Sequence, residues 1–418
     1  MYVKTEWESR QGTNINKFTK SEETSTTVIL ENTPDEITAN GTPFSPDNMN
    51  KIEQGIYDAH TDIRVIMNVL YSLIPFYAAS SPFLIASSKR ILTIKNGTKI
   101  GDVIIRQDIE LNVSTLLDSG SITNGKDYYV FISKTTPINF LISLNKTAPN
   151  GFTRIGGFHT LCVSVGNGLT YEESGVTKNH LLNGFVAGDI LPYSVNCLNH
   201  RPYSEPEGMA YIPSLDFWAD IYLPSGYGIN TKSVYQGAIT RARQYVDHVE
   251  DMFCVKKELL DDGEFAAAML GSNEQTAVAG ASLPNDGAGG HVDTVGRRMV
   301  SIYGIEDGCG LLWQWLRSTS GAGTFGRAYR QISTDGEVPI TYGYDPETAG
   351  TGGSWANARP QSGNKGSFYG LYTALLAGGY WESGAVAGSR SRIAYNARSN
   401  ARHNYGGRGR SRCIRVRL

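Results

Sequence analysis

The chain has 418 residues, a formal net charge of −2 and 40% hydrophobic residues, which excludes the composition of a disordered or heavily charged chain and argues for a soluble globular protein of two or three domains. Its 47 glycines and 23 tyrosines suit strands, tight turns and ordered loops rather than helical bundles. An α+β multi-domain protein is expected, divided at residues 1–82, 83–190 and 191–418.

Residues 1–8 show no basic region followed by an apolar stretch, so no signal peptide is expected. Residues 1–44 are polar and without periodicity. Ser45-Pro46-Asp47 then offers an N-cap, a proline at the first helical position and an acid near the positive helix end. Met49, Ile52, Ile56, Ala59, Ile63, Ile66, Leu70 and Leu73 follow at alternating spacings of three and four until Pro75. That is a heptad seam over about 45–74, and isoleucine at both seam positions favours three strands over two. The expectation is a short trimeric coiled coil within an N-terminal attachment segment; the alternative is an amphipathic helix packed on its own domain. The uncharged stretch from Val65 to Ser88 is interrupted by Asn68, Ser72, Pro75, Ser80, Ser81 and Pro82, so no membrane insertion is expected.

From 83 to 190 the pattern turns to short β-rich runs: Arg90–Ile94, Gly101–Ile105, Asp127–Ser133, Asn139–Leu144 and Thr160–Val165. Asn96-Gly97 and Asn124-Gly125 mark turns between them, and Tyr128-Tyr129-Val130-Phe131-Ile132 reads as a strand buried on both faces. No polar cluster converges here, so a small all-β spacer domain is expected.

Beyond Asn199 the chain carries Trp218, Trp313, Trp315, Trp355 and Trp381. Helices are expected over about Gly237–Phe253, with Ile239, Ala242, Val246, Val249 and Phe253 on one face, and over Gly263–Leu270. The rest reads as Gly-rich loops around an aromatic core.

Catalytic signatures are nearly absent. There is no Gly-x-Ser-x-Gly, no His-x-x-x-His and no phosphate loop. The glycine string at 321–326 follows a polar run rather than a strand and reads as a loop. His248 beside Asp247 reads as a solvated or capping pair, and His291 with Asp293 is too small a set for a metal. Cys162, Cys197, Cys254, Cys309 and Cys413 are odd in number and lack Cys-x-x-Cys, as expected of buried thiols in a chain folded in a reducing bacterial cytoplasm. Neither a cofactor nor a metal is indicated, Ca²⁺ included. From Tyr380 to Leu418 stand nine arginines, no lysine and one acid, Glu382. Such a basic, aromatic segment suits recognition surfaces, nucleic acid or anionic glycans, although the arginines from Arg408 onward read as strand ends paired with core acids.

Three blocks resemble one family. Gly378-Gly379-Tyr380-Trp381, Gly388-Ser389-Arg390 and the stretch from Tyr395 to Asn404, closing on Gly407-Arg408-Gly409, are similar to the variable proteins of diversity-generating retroelements, of the phage tropism-determinant kind. Tyr303 to Trp315 resembles the Gly/Trp core motif of their C-type-lectin-like domains. Formylglycine-generating oxidases carry similar segments, and the thiol pair they need would fall on Cys309 and Cys413, the only candidates in that region besides Cys254. Pro43-Phe44-Ser45-Pro46 leading into Ile52–Ile56 is similar to a helix opening in phage tail proteins. Arg410-Ser411-Arg412 lengthens the segment before Cys413 relative to the family. The resemblance implies a C-type-lectin-like receptor-binding domain, homotrimers, tail or baseplate partners for the N-terminus, and a place on the virion tail after release by lysis. It implies recognition of a host cell-surface receptor, protein or glycan, through Tyr380, Ser383, Val386, Ile393, Tyr395, Asn396, Asn400, Arg402 and Asn404. Gly379, Trp381, Gly388, Arg408, Trp313 and Trp315 would form the frame, and no residue would be catalytic.

Overall fold

The computed structural model describes residues 8–40, 45–73, 76–134, 137–280, 287–319, 328–332, 366–370, 374–394, 396 and 398–415. Tyr395 and the glycine string at 321–326 lie outside them, as do the side chains of Ile66, Leu70 and Leu73 in the expected seam. The chain divides by packing into two units, Met1–Pro75 and Phe76–Leu418.

In the first unit, Gln11–Thr13 pairs antiparallel with Glu36–Ala39, and Phe18–Glu23 with Val28–Asn32. Helix α1 follows over Pro46–Leu73. Its start is fixed as the sequence indicates: the Asn48 amide donates to Ser45 Oγ at 3.3 Å. Among the described residues up to 63 none is buried, and Ile56 and Ile63 are 54% and 56% exposed.

In the second unit one sheet has the order Phe140–Ser143, Asp127–Ser133, Phe152–His159, Asn196–Cys197, His200–Pro202, Gly409–Arg415, Phe217–Asp220, Met209–Ile212, with Glu258–Leu259 also on Gly409–Arg415. The backbone ladder therefore crosses residue 190 without interruption, although the buried residues form two separate cores. One gathers Phe83, Leu92, Val130, Ile142 and Phe158; the other gathers Tyr222, Phe265, Cys309, Leu311 and Trp381. Residues 128–132 are buried throughout, as their β-branched and aromatic run predicts.

Two local expectations are corrected. Thr160–Val165 forms no strand; the strand is Phe152–His159, which carries Gly156 where a Cβ would stand 2.3 Å from the Asn196 carbonyl oxygen. The helix expected from Gly237 begins only at Tyr245, as α2 (Tyr245–Cys254), where Gln244 and Asp247 close a capping box. It also turns its other face inward, burying His248, Asp251 and Met252 and leaving Val246, Val249 and Phe253 exposed. Helix α3 spans Asp262–Ala268 behind an Asp261–Glu264 capping box.

Candidate binding face

A second sheet organises the C-terminal segment, in the order Ala328–Ile332, Gly366–Gly370, Gly388–Ala394, Ala374–Gly378, Trp313–Thr319, Tyr405–Gly407. Trp315 lies under it, 0% exposed, with Tyr245 and Tyr405 edge-on at 5.7 and 5.4 Å. Trp313 is buried in the same cluster. The chain leaves Ala374–Gly378 through Gly378 and Gly379, both at positive φ of 92° and 85°. A Cβ on Gly379 would stand 2.9 Å from Ala387 Cα, so glycine is required where the first loop turns away.

That first loop is tied to itself. The Tyr380 amide donates to Ser383 Oγ at 2.9 Å, and the Ser383 amide to the Tyr380 carbonyl at 2.8 Å. Tyr380 Oη donates to Glu382 Oε2 at 2.8 Å. Tyr380, Ser383 and Val386 are half-buried, whereas Glu382, Gly384 and Ala385 are exposed.

The second loop, 398–404, is clamped by main-chain bonds. Tyr245 N donates to Arg398 O at 3.0 Å, Trp313 N to Asn404 O at 3.0 Å and Tyr405 N to Arg402 O at 3.0 Å. Arg398, Ser399, Ala401, Arg402 and His403 are exposed; Asn400 and Asn404 are half-buried. The Arg398 guanidinium lies over the Tyr245 ring at 5.2 Å. Beside it is a shallow hollow of about 300 Å³ between Arg398, Ser399 and the outward Val246 and Val249 of α2. Sequence reasoning missed this α2 contribution, because the valines were assigned to the core.

Trp381 joins the two loops. It is 8% exposed, with its ring 5.3 Å from Tyr380 and 5.4 Å from His403. Two expected face residues are placed otherwise. Ile393 is 4% exposed among Trp315 and Leu376, and Asn396 is 3% exposed, its Oδ1 accepting from Asn400 Nδ2 at 3.2 Å. Ile393 does not face outward because the strand Gly388–Ala394 has sheet neighbours on both sides and is covered on both faces.

The arginines separate by depth. Arg390, Arg392 and Arg408 are at most 1% exposed. Arg408 donates to Gln314 Oε1 at 2.9 Å and to the carbonyls of Asp220, Ile221 and Glu306 at 2.9, 2.9 and 2.8 Å. Arg392 bonds Asp262 and lies over the Phe265 ring. Gly388 opens the strand that carries Arg390 and Arg392.

The residues weighed for chemistry are held apart or buried. His291 Nδ1 pairs with Asp307 at 2.9 Å, while Asp293 accepts from Thr276 Oγ1, Val295 N and Arg297 N. Among the described residues no three metal-ligating side chains cluster. His248 is not solvated: it is fully buried, neither ring nitrogen has a hydrogen-bond partner, and burial pushes its pKa down to about 4. All five thiols are free. Burial pushes the Cys309 thiol well up and raises that of Cys413, the reverse of what a reactive thiolate requires. No helix among the described residues is long and apolar enough to cross a membrane.

Residues 82–195 match the family described as the Mtd second domain. Solved structures of the Major Tropism Determinant M1, U1 and P3c variants superpose with TM-scores of 0.59, 0.58 and 0.57 at 21% identity, each covering 82% of this chain and 86% of the other. No curated protein matches. The chain therefore resembles the major tropism determinant, in the Mtd second domain of residues 82–195 and in a β-rich, C-type-lectin-like fold.

Proposed function

We propose that this chain is a phage tail receptor-binding protein that attaches to a host cell-surface receptor, protein or glycan, through the face formed by the loops 380–386 and 398–404. The observation that carries this reading is the Trp381–His403 contact between two loops whose backbones are fixed while Glu382, Ala385, Arg398, Ser399, Arg402 and His403 face solvent. Exposed arginines beside apolar and aromatic groups are typical of recognition surfaces. Tyr380, Ser383, Val386, Asn400, Arg402 and Asn404 supply the contacts, with Arg398 and the α2 valines at the edge. Ile393 and Asn396 act from beneath, and Tyr395 lies between them in sequence. The solved structures of this fold are titled as tropism determinants in several variants, in keeping with a face whose residues change while the frame stays.

The N-terminal unit serves assembly and tail attachment in this reading. Two-stranded hairpins alone are marginal in water, and Phe18, Val28, Ile29 and Leu30 are exposed, as are Ile56 and Ile63 of the α1 seam. Three copies packed along that seam would cover it, giving a homotrimer on the virion tail. The oxidase reading has no support from Cys309 or Cys413, and the nucleic-acid reading loses Arg390, Arg392 and Arg408 to the interior.

The test replaces Arg398 and Arg402 together with alanine and measures melting and adsorption to host cells. Melting should stay within about 2 °C of the parent, as for surface substitutions, with adsorption down more than about tenfold. Adsorption at the parent level would place the receptor site elsewhere.

A further inference from the structure

A second site stands apart from the proposed receptor face. Two cavities of about 460 and 400 Å³ share Tyr203, Glu205 and Lys256 and so form one groove beside the strands His200–Pro202 and Phe152–His159. Each is of the size that holds a small ligand. Neither shares a residue with 380–404.

Charge is what distinguishes the groove. Arg154, Arg201, Lys232 and Lys256 line it, and among the described residues none of the four has a carboxylate within ion-pair distance. The acids present are already engaged: Lys146 Nζ reaches Glu205 at 2.5 Å and Glu207 at 2.9 Å, and Glu207 also accepts from Tyr129 Oη at 2.8 Å. The ionised form of Glu205 is favoured first by that Lys146 bond, with Arg154 and Lys256 adding to it. Lys256 sits at φ +60° just after α2, where the turn holds its amide on the Phe253 carbonyl at 3.0 Å. This left-handed residue after the helix C-cap is a common helix ending. Tyr203 is 52% exposed, has Arg412 over its ring at 5.5 Å and lines both cavities.

We propose that this groove binds an anionic saccharide, its acidic groups on Arg201 and Lys256 and a sugar ring against the exposed ring of Tyr203. Four cations without an ion-pair partner among the described residues favour a negatively charged ligand. An aromatic face packs against the C–H face of a pyranose, and arginine engages carboxylates through paired N–H groups. Glu205 and Glu207 decide between anionic polymers. Inside the groove they can accept hydrogen bonds from sugar hydroxyls, donors that a DNA phosphodiester backbone does not offer. The site gives the protein a hold on acidic polysaccharide at the cell surface independent of the face at 380–404.

The test is calorimetric titration of the full chain with trigalacturonate, with maltotriose and hexathymidylate as parallel probes. Trigalacturonate should bind with a salt-sensitive affinity at least about tenfold above both others. Arg201→Gln with Lys256→Gln should weaken it by about tenfold or more and Tyr203→Ala by about fivefold, each with parental melting. The Arg398→Ala, Arg402→Ala variant should bind trigalacturonate as the parent does, which separates this site from the receptor face. Absence of trigalacturonate binding at about 10 mM, full retention by the Arg201, Lys256 variant, loss in the Arg398, Arg402 variant, or tighter binding of hexathymidylate would each overturn the proposal.

Discussion

His248 offers a measurement of how firmly the frame is packed beneath the loops. Its ring lies against Gly407, where an added Cβ would stand 3.3 Å from Nδ1, and the side chain is fully buried. Withdrawal from water lowers its pKa from 6.5 to about 4. Between those values the unfolded chain binds a proton that the folded chain does not, so stability is complete above pH 6.5 and declines as the pH falls towards 4. At pH 5 the loss from this one imidazole is about 2 kcal/mol. His180 and His200 are likewise lowered to about 4 by burial and act in the same sense, whereas burial raises Asp262 and Glu264, which act in the opposite sense. A single substitution isolates the one term. His248→Phe removes the titration while keeping a ring of similar size, and at pH 8 its stability should lie within about 1.5 kcal/mol of the parent. In urea unfolding at pH 8, 6.5 and 5, the variant should gain on the parent by about 2 kcal/mol between the first and last. A difference that stays constant with pH would refute the burial of a neutral imidazole here.

Ile56→Asp with Ile63→Asp should convert a homotrimer to monomers in light scattering, because three buried carboxylates per layer cannot pair; a monomeric parent would remove the premise. Trp381→Ala should cost about 3–5 kcal/mol in thermal or urea unfolding and also reduce adsorption, since Trp381 both fills the core and carries His403. Unchanged melting of that variant would show that Trp381 bears no load.

How much of this was legible in the sequence depends on how local the determining interaction is. Helix α1 is written in a cap and a seam that need no partner to be recognised, and the strand Asp127–Ser133 in an unbroken β-branched and aromatic run. The strand Phe152–His159 is hidden because Gly156 lowers its β propensity, and the reason for the glycine, the close carbonyl of Asn196, is 40 residues away. On α2 both faces are mixed, so period alone does not choose between them. The inward face is polar because Asp251 Oδ1 accepts from Gly228 N at 2.8 Å and Arg243 Nη2 at 3.3 Å, contacts made across the fold. Trp381 and Arg408 were readable as frame through the family resemblance, but the carbonyls that hold Arg408 were not.

The segment 380–415 uses arginine in two opposite ways, and the backbone decides which. Where the chain is a covered strand, in Gly388–Ala394, Arg390 and Arg392 enter the interior. Where it is a loop, Arg398 and Arg402 stand in solvent. The loop 398–404 is held through the carbonyls of Arg398, Arg402 and Asn404, and a carbonyl is present whatever the side chain. Replacing an exposed side chain there removes no bond that fixes the loop, so such changes should alter recognition at little expense in stability. Arg408 is the converse, since its guanidinium donates to four buried acceptors, Gln314 Oε1 and the carbonyls of Asp220, Ile221 and Glu306. No other side chain reproduces a planar fork of five donors. A face free to vary beside a residue that is not free to vary is the arrangement expected of a binding surface that changes partner without changing fold.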